Sequence, residues 1–371
     1  MEQIPLFKVH IPKEIIPALE ETLFSGTITE GPKAQLFEKT FQEYINNPNT
    51  ALLNSCTNAI TLALRLAGVK NEDEVITTPM TCLATNVPIL TLGAKPIWAD
   101  INPDTGNINP KTIESLITPK TKAIICAHWA GMPSEVDKIN VIAKKYGIKV
   151  IEDAAQALGA EYNNLKIGNH SDYVCFSFQA IKQLTTADGG AIACKTQEDY
   201  KRAVLLRWFG LSRTFKKTPV FWDTDVIEPG YKMHMNDLNA TMGLVQMKYI
   251  DGIIAKHIVN AQFLREKLKD MKGIELPKIP PNSKPCYWMF TIKLDNPESR
   301  KKFSEYLTEH GIGNSIAHER NDKYSIFKDF QKSLPGVDDF SDRMLNIPCG
   351  WWLTPENLDY IAKTCREALK T

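Results

Sequence analysis

The stretch whose reading decides the fold runs from Lys149 to Ala191: KVIEDAAQALGAEYNNLKIGNHSDYVCFSFQAIKQLTTADGGA. Val150 and Ile151 form a short apolar run, and Asp153 follows where a parallel strand opens into the crevice at the carboxyl ends of its sheet. Lys182 comes shortly after a second strand-like run, Tyr173 to Phe178. It precedes Gly189-Gly190 and a further short strand, Ala191 to Cys194. An acid there can keep a heterocyclic nitrogen protonated, and a lysine there can form a Schiff base with an aldehyde. Those are the two groups that pyridoxal phosphate (PLP) chemistry requires of a protein.

Taken singly, each feature has a plainer reading. An isolated EDAA is most often a strand running into a helix that its acid caps, and a lone lysine is usually solvated surface. The order of the pieces argues otherwise. Glu152-Asp153-Ala154-Ala155-Gln156, then Phe176-Ser177-Phe178, then Lys182, then Gly189-Gly190 resembles the DegT/DnrJ-like family of PLP-dependent nucleotide-sugar aminotransferases, within the aspartate-aminotransferase (fold type I) superfamily. The resemblance implies an α/β chain. Its large domain would have three layers around a mostly parallel sheet, with a smaller C-terminal α+β domain after it.

Composition is compatible with that. A chain of 371 residues can bury a large core and exceeds one average domain. With 44 basic and 43 acidic residues, it lacks the charge of a non-specific nucleic-acid or membrane-surface binder. Residues 1 to 20 show no signal-peptide pattern, and no run of about 20 apolar residues appears. A cytoplasmic protein is therefore expected. The eight cysteines are scattered, without zinc spacing, so buried reduced thiols are expected and no metal site.

Outward from the central stretch, the pattern alternates strand and helix. A helix spans 13 to 24, and Ser25-Gly26-Thr27-Ile28-Thr29-Glu30-Gly31-Pro32 forms a loop before a second helix with Ala34, Phe37, Phe41 and Ile45 on one face. Strands follow at 50–54, 74–77, 96–99 and 121–127, with helices at 59–67, 82–92, 110–117 and 134–146. Such repeated units require parallel strands. Ser55-Cys56-Thr57 opens a helix after a strand, where free N–H groups suit a phosphate; a simple N-cap is the plainer reading. His128-Trp129 ends a strand, either as a satisfied structural pair or facing the crevice. After Lys182 comes a helix at 197–209. An irregular segment from 210 to 230 follows, with Pro219, Trp222, Asp223 and Asp225. One long helix is then expected from Met235 through Tyr249 toward Leu268, which places a domain boundary near residue 250, between 1–250 and 251–371. A strand at 287–293 and helices at 298–309 and 355–369 complete the chain, with Trp351-Trp352 closing a core against the last helix.

The resemblance assigns roles. Lys182 would carry the coenzyme as a Schiff base and move the proton during exchange with pyridoxamine phosphate. Asp153 would stabilise the pyridinium, Gln156 touch the ring's 3-oxygen and Ser177 the phosphate. Cys56 and Thr57 stand in the phosphate turn, Cys56 in place of the family's glycine. Cys82, in PMTCLATN, stands where relatives stack an aromatic on the ring. Glu228-Pro229-Gly230-Tyr231-Lys232 is similar to a signature lent to the neighbouring subunit, so Lys232 would bind coenzyme across a homodimer with shared active sites; a surface lysine is the alternative. Thr29, His128 and His318 are the substrate-binding candidates. The 318–324 run reads equally well as a solvated loop, and His234 has no assigned role. The implied reaction moves an amino group from L-glutamate to a nucleotide-linked keto-sugar of the 4-keto-6-deoxyhexose class, for surface polysaccharide, lipopolysaccharide or other glycoconjugate synthesis. Two competitors share the fold: a PLP-dependent sugar dehydratase, whose members commonly have histidine where Lys182 stands, and a catalytically silent regulator, against which Asp153 and Lys182 both argue.

Overall fold

The computed structural model describes residues 3–212 and 225–370, so Pro219, Trp222 and Asp223 lie outside the described residues. The strands are β1 (Thr50–Leu53), β2 (Glu74–Thr77), β3 (Lys95–Trp98), β4 (Thr121–Ala127), β5 (Lys149–Asp153), β6 (Glu161–Tyr162), β7 (Leu165–Lys166), β8 (Tyr173–Ser177), β9 (Gly190–Cys194), β10 (Ser283–Lys284), β11 (Phe290–Lys293) and β12 (Met344–Ile347). Seven of them form one sheet in the order β1-β9-β8-β5-β4-β2-β3. Only β9 runs antiparallel to its neighbours in it.

Helices cover both faces, which is why the central strands read as continuous apolar runs rather than alternating ones. Along β5 and β8, Val150, Val174 and Phe176 turn to one face, and Ile151, Tyr173 and Cys175 to the other. The first face packs against α2 (Pro32–Ile45), α5 (Val136–Tyr146) and α7 (Asp237–Met247), beyond which lies α1 (Ile15–Leu23). The second packs against α3 (Cys56–Leu66), α4 (Leu83–Thr91) and α6 (Gln197–Leu206). The result is a three-layer sandwich.

The register sets where chemistry can occur. Ala127 pairs with Asp153 and Asp153 with Cys175, while Ser177 and Leu53 both pair with Gly190. Strand ends and strand start thus meet at one edge of the sheet.

Past α7, the expected single helix is two. α8 (Ile250–Leu268) starts after a break at Lys248–Tyr249, where the Tyr249 N–H bonds back three residues to the Gln246 carbonyl. The break lets Ile250 and Ile254 stay in the sheet's core while Ala261, Leu264 and Leu268 enter a separate C-terminal core. There β11 and β12 pair antiparallel among α8, α9 (Pro297–Glu309) and α11 (Pro355–Ala368), while α10 (Pro335–Arg343) packs beside α9 and sends Val337 and Phe340 into another cluster with Trp98, Trp129 and Trp288. The helix expected over 110–117 is instead two 3-10 turns, the first capped by the Asn109 side chain on the Lys111 N–H and tied by the Thr112 hydroxyl to the carbonyls of Asp100 and Asn109. Trp352 packs on the C-terminal core as expected. The indole N–H groups of Trp351 and Trp352, however, donate to the carbonyls of Lys8 and Pro5 and so tie down the N-terminal segment.

Candidate active site

At the edge where the strands end lies a cavity of about 300 Å³, lined by Ser55, Cys56 and Thr57, by Cys82, by Asp153 and Gln156, by Ser177 and Lys182, and by Trp288 and His318. Its size is at the lower end of small-molecule sites. These residues, from six stretches far apart in the chain, converge on it.

Asp153, at the tip of the central strand, is 6 % exposed. Its Oδ2 accepts from the Thr85 hydroxyl at 2.6 Å, and Oδ1 from the Ala155 N–H at 3.0 Å. Thr85 in turn shares a 2.8 Å hydrogen bond with Thr81. Since the Thr85 proton goes to the carboxylate, Thr81 must be the donor of that second bond. The buried Cys56 thiol lies 3.9 Å from Oδ1, so its side chain turns toward the acid. Burial, with the Asp153 charge behind it, pushes that thiol far up; burial likewise raises the Cys82 thiol.

The first turn of α3 faces the same cavity. Ser55 is its N-cap: its hydroxyl accepts from the Asn58 N–H at 3.1 Å and its carbonyl from Ala59. The N–H groups of Cys56 and Thr57 remain as donors at the positive end of the helix. A Cβ on Gly190 would come within 2.4 Å of the Ser55 carbonyl carbon. Only glycine lets β9 start beneath this turn. Ser177 accepts from the Gln179 N–H at 3.3 Å, which leaves its own hydroxyl proton to donate.

Lys182 follows β8 in a turn. Burial pushes its ammonium down to about 8, against the pull of the Asp153 charge. Its Nζ lies 3.6 Å from the centroid of the Trp288 ring. Gln156 accepts at Oε1 from the Ala130 N–H (2.7 Å) and donates from Nε2 to His318 Nε2 (3.1 Å). Burial, and then the charge of Lys182, push His318 down to about 4, so it is neutral with its proton on Nδ1.

Three of the substrate and coenzyme candidates are placed differently. His128 touches the cavity wall, but both ring nitrogens are used within the protein. Nδ1 accepts from the Ser134 N–H at 3.0 Å, so Nε2 carries the proton and donates to the buried Glu152 at 3.0 Å. That leaves it no polar atom for a substrate: His128 does line the crevice, but it is satisfied by Glu152 and Ser134 rather than paired with Trp129. Burial opposes ionisation of Glu152 most strongly, but its polar neighbours, His128 first and then His170 and Ser171, together hold the carboxyl below the usual range. Thr29 is outside the cavity, its hydroxyl 3.4 Å from His234 Nε2. Lys232 is exposed, 5.9 Å from the Trp208 ring, and also outside it. Sequence reasoning missed Thr81, Thr85 and Trp288. The first two carry a faint signal, two hydroxyls four residues apart around Cys82; Trp288 carries none, because its partner is distant in the chain.

A three-layer, mostly parallel sheet with an acid at the tip of its central strand, a lysine across the cavity and an open helix N-terminus between them defines a PLP-dependent transferase. The donor set fits that coenzyme: an anion site, a carboxylate for a cationic ring and an amine for an aldehyde. The chain belongs to the DegT/DnrJ/EryC1/StrS aminotransferase family, which it matches over residues 9–366, and it is a PLP-dependent aminotransferase. It is similar to the spore coat polysaccharide biosynthesis protein SpsC of Bacillus subtilis, with 31% identity over 97% of this chain and 95% of that one. Among solved structures it resembles the sugar aminotransferase CalS13 of Micromonospora echinospora, at 32% identity and a TM-score of 0.93 over 98% and 99% of the two chains. It also resembles the putative sugar aminotransferase Spr1654 of Streptococcus pneumoniae, solved in PLP and PMP forms, at 27% identity and a TM-score of 0.91 over 99% of this chain; that match covers 98% and 99% of the two Spr1654 chains.

Proposed function

We propose that this chain transfers an amino group from L-glutamate to the keto carbon of a nucleotide-linked keto-sugar of the 4-keto-6-deoxyhexose class, as a step in surface polysaccharide or other glycoconjugate synthesis. The observation that carries the reading is the convergence of Lys182, Asp153 and the first turn of α3 on one cavity. The names of SpsC and CalS13 support a sugar acceptor.

When bound, PLP supplies an aldehyde carbon and an electron-withdrawing ring. The N–H groups of Cys56 and Thr57 and the Ser177 hydroxyl would hold its phosphate, and Cys82 would pack on the ring. Asp153, pinned by Thr85 and Ala155, is the ionised partner for the ring nitrogen. Gln156 has an amide proton left for the ring oxygen. Lys182 Nζ is the amine that would hold the aldehyde carbon, and in its free form it would carry the proton to and from the substrate carbon. His318, neutral beside Lys182, offers a hydrogen bond to the substrate without competing for that proton.

Thr29 and Lys232, outside this chain's own cavity, fit a shared site in a homodimer, with Lys232 as a point charge for the neighbour's phosphate. No helix among the described residues is long and apolar enough to cross a membrane, and we place the enzyme in the cytoplasm. We set the domain boundary near residue 250, at the α7–α8 break.

The test is to incubate the protein with L-glutamate and a panel of dTDP-, GDP- and UDP-linked keto-sugars and follow products by mass. A gain of an amine on one sugar nucleotide is expected. A PLP-loaded protein that aminates none of them overturns the sugar reading.

A further inference from the structure

Trp288 precedes β11 in the C-terminal part of the chain, yet it forms a wall of the cavity. The Lys182 Nζ lies 3.6 Å from its ring centroid, within the range where the negative face of an indole attracts an ammonium. The ring is fixed on several sides. Its Nε1–H donates at 3.0 Å to the carbonyl of Ile181, the residue immediately before the lysine. Phe7 stacks on it at 4.9 Å with planes 24° apart, and His318 lies nearly parallel to it at 6.3 Å and 16°. Residue 288 is itself only 3 % exposed. A tryptophan that merely filled space would not need its indole proton on the lysine's own loop.

We propose that Trp288 is a positioning residue for Lys182: its ring face holds the ammonium in the cavity whenever the amine is not bonded to the coenzyme, and so helps to set the pH at which the free amine becomes available. This rests on the role given to Lys182 above. The other groups acting on that amine are Asp153 at the tip of β5, Cys56 at the start of α3, Cys82 before α4 and His318 in the loop after α9. Both thiols are pushed up by burial and His318 is neutral. Asp153 is therefore the only full charge among these neighbours, and the ring is the second source of support for the charged form. Without the ring the ammonium loses that support and its pKa falls. The same contact keeps a long, flexible side chain in one place between its two encounters with the coenzyme, which reduces the ordering each encounter requires.

The experiment uses full-length protein stripped of carried-over coenzyme with hydroxylamine. Pyridoxal phosphate is added across a range of pH, the visible band is followed, and the adduct is trapped with borohydride and located by peptide mass. In Trp288→Leu the midpoint for capture at Lys182 is expected roughly half a unit to one unit below that of the natural protein. Trp288→Phe keeps an aromatic face and is expected between the two, with a native circular dichroism spectrum. If Trp288→Leu does not fold, the Trp288→Phe midpoint decides. Folded variants that titrate at the natural midpoint overturn the inference while leaving Lys182 in its role. A natural protein that traps nothing at Lys182 overturns the proposed function, and this inference with it.

Discussion

Asp153 shows how much of a catalytic group is set by its neighbours. A carboxylate at a strand tip is free to rotate, and here it does not: the Thr85 hydroxyl at 2.6 Å and the Ala155 N–H at 3.0 Å occupy one oxygen each. Thr85 is fully buried, so its bond to a charged acceptor is of the stronger kind, about 1.5–3 kcal/mol. Thr85→Val should therefore reduce turnover by roughly tenfold or more and speed coenzyme loss, with Thr85→Ser restoring most of both. Stopped turnover assays and dialysis followed by absorbance would check it. A Val variant that retains coenzyme and rate would show that Ala155 alone suffices. The Asp153–Lys182 pair itself was legible in the sequence, since an acid after VI and a lysine after FSF are local patterns. Thr85 and Trp288 were not, because their importance lies in what they touch.

Among elements, the junction of α2 and α7 fixes the N-terminal loop. Asp237, in the first turn of α7, accepts from the N–H groups of Gly31 and Ala34 at Oδ1 (2.8 and 2.9 Å) and of Lys33 at Oδ2 (3.1 Å). It thus caps α2 from across the fold, while Asn236 caps α7. The Asp237 N–H also donates to the Thr29 carbonyl at 2.7 Å. Asp237→Ala would leave three N–H groups without an acceptor at a buried helix start, a loss of roughly 2–3 kcal/mol. Urea unfolding should show it as a lower midpoint at unchanged slope. An unaltered midpoint would mean that water replaces the carboxylate. The break between α7 and α8 was not legible either: no glycine or proline marks Lys248–Tyr249, and the turn exists because the two ends of that stretch belong to different cores.

For the molecule as a whole, the C-terminal core makes stability depend on acid. His257, on α8 and 3 % exposed, donates from Nδ1 to the Tyr287 carbonyl at 2.8 Å. Burial pushes it down to about 4, with that bond only partly opposing. Its folded pKa lies below the ordinary value near 6.5, so the unfolded chain takes up a proton the folded chain refuses. The stabilisation is complete above about pH 6.5 and is lost as pH falls toward 4, on the order of 3 kcal/mol in all. His257→Gln should lose less stability between pH 7 and 4.5, as read by denaturant midpoints; equal losses would place the acid sensitivity elsewhere. The proposed homodimer is tested by mixing. Lys182→Ala and Lys232→Ala should each be inactive or strongly impaired alone, and co-refolded subunits should regain up to about a quarter of the activity through one intact shared site. No regain would make Lys232 a surface lysine.

What the sequence determined by itself is the alternation of strands and helices and the place of the acid and the lysine along it. Apolar periodicity and strand-end position are properties of neighbours along the chain. What only the tertiary structure decided is the set of contacts that make these residues a site: Thr85 on Asp153, Trp288 over Lys182, His318 on Gln156, the inward pairing of His128 with Glu152. Each joins residues far apart in sequence, and no local pattern records them, because the energy of a hydrogen bond or a ring contact depends on distance and burial, which exist only once the chain has packed.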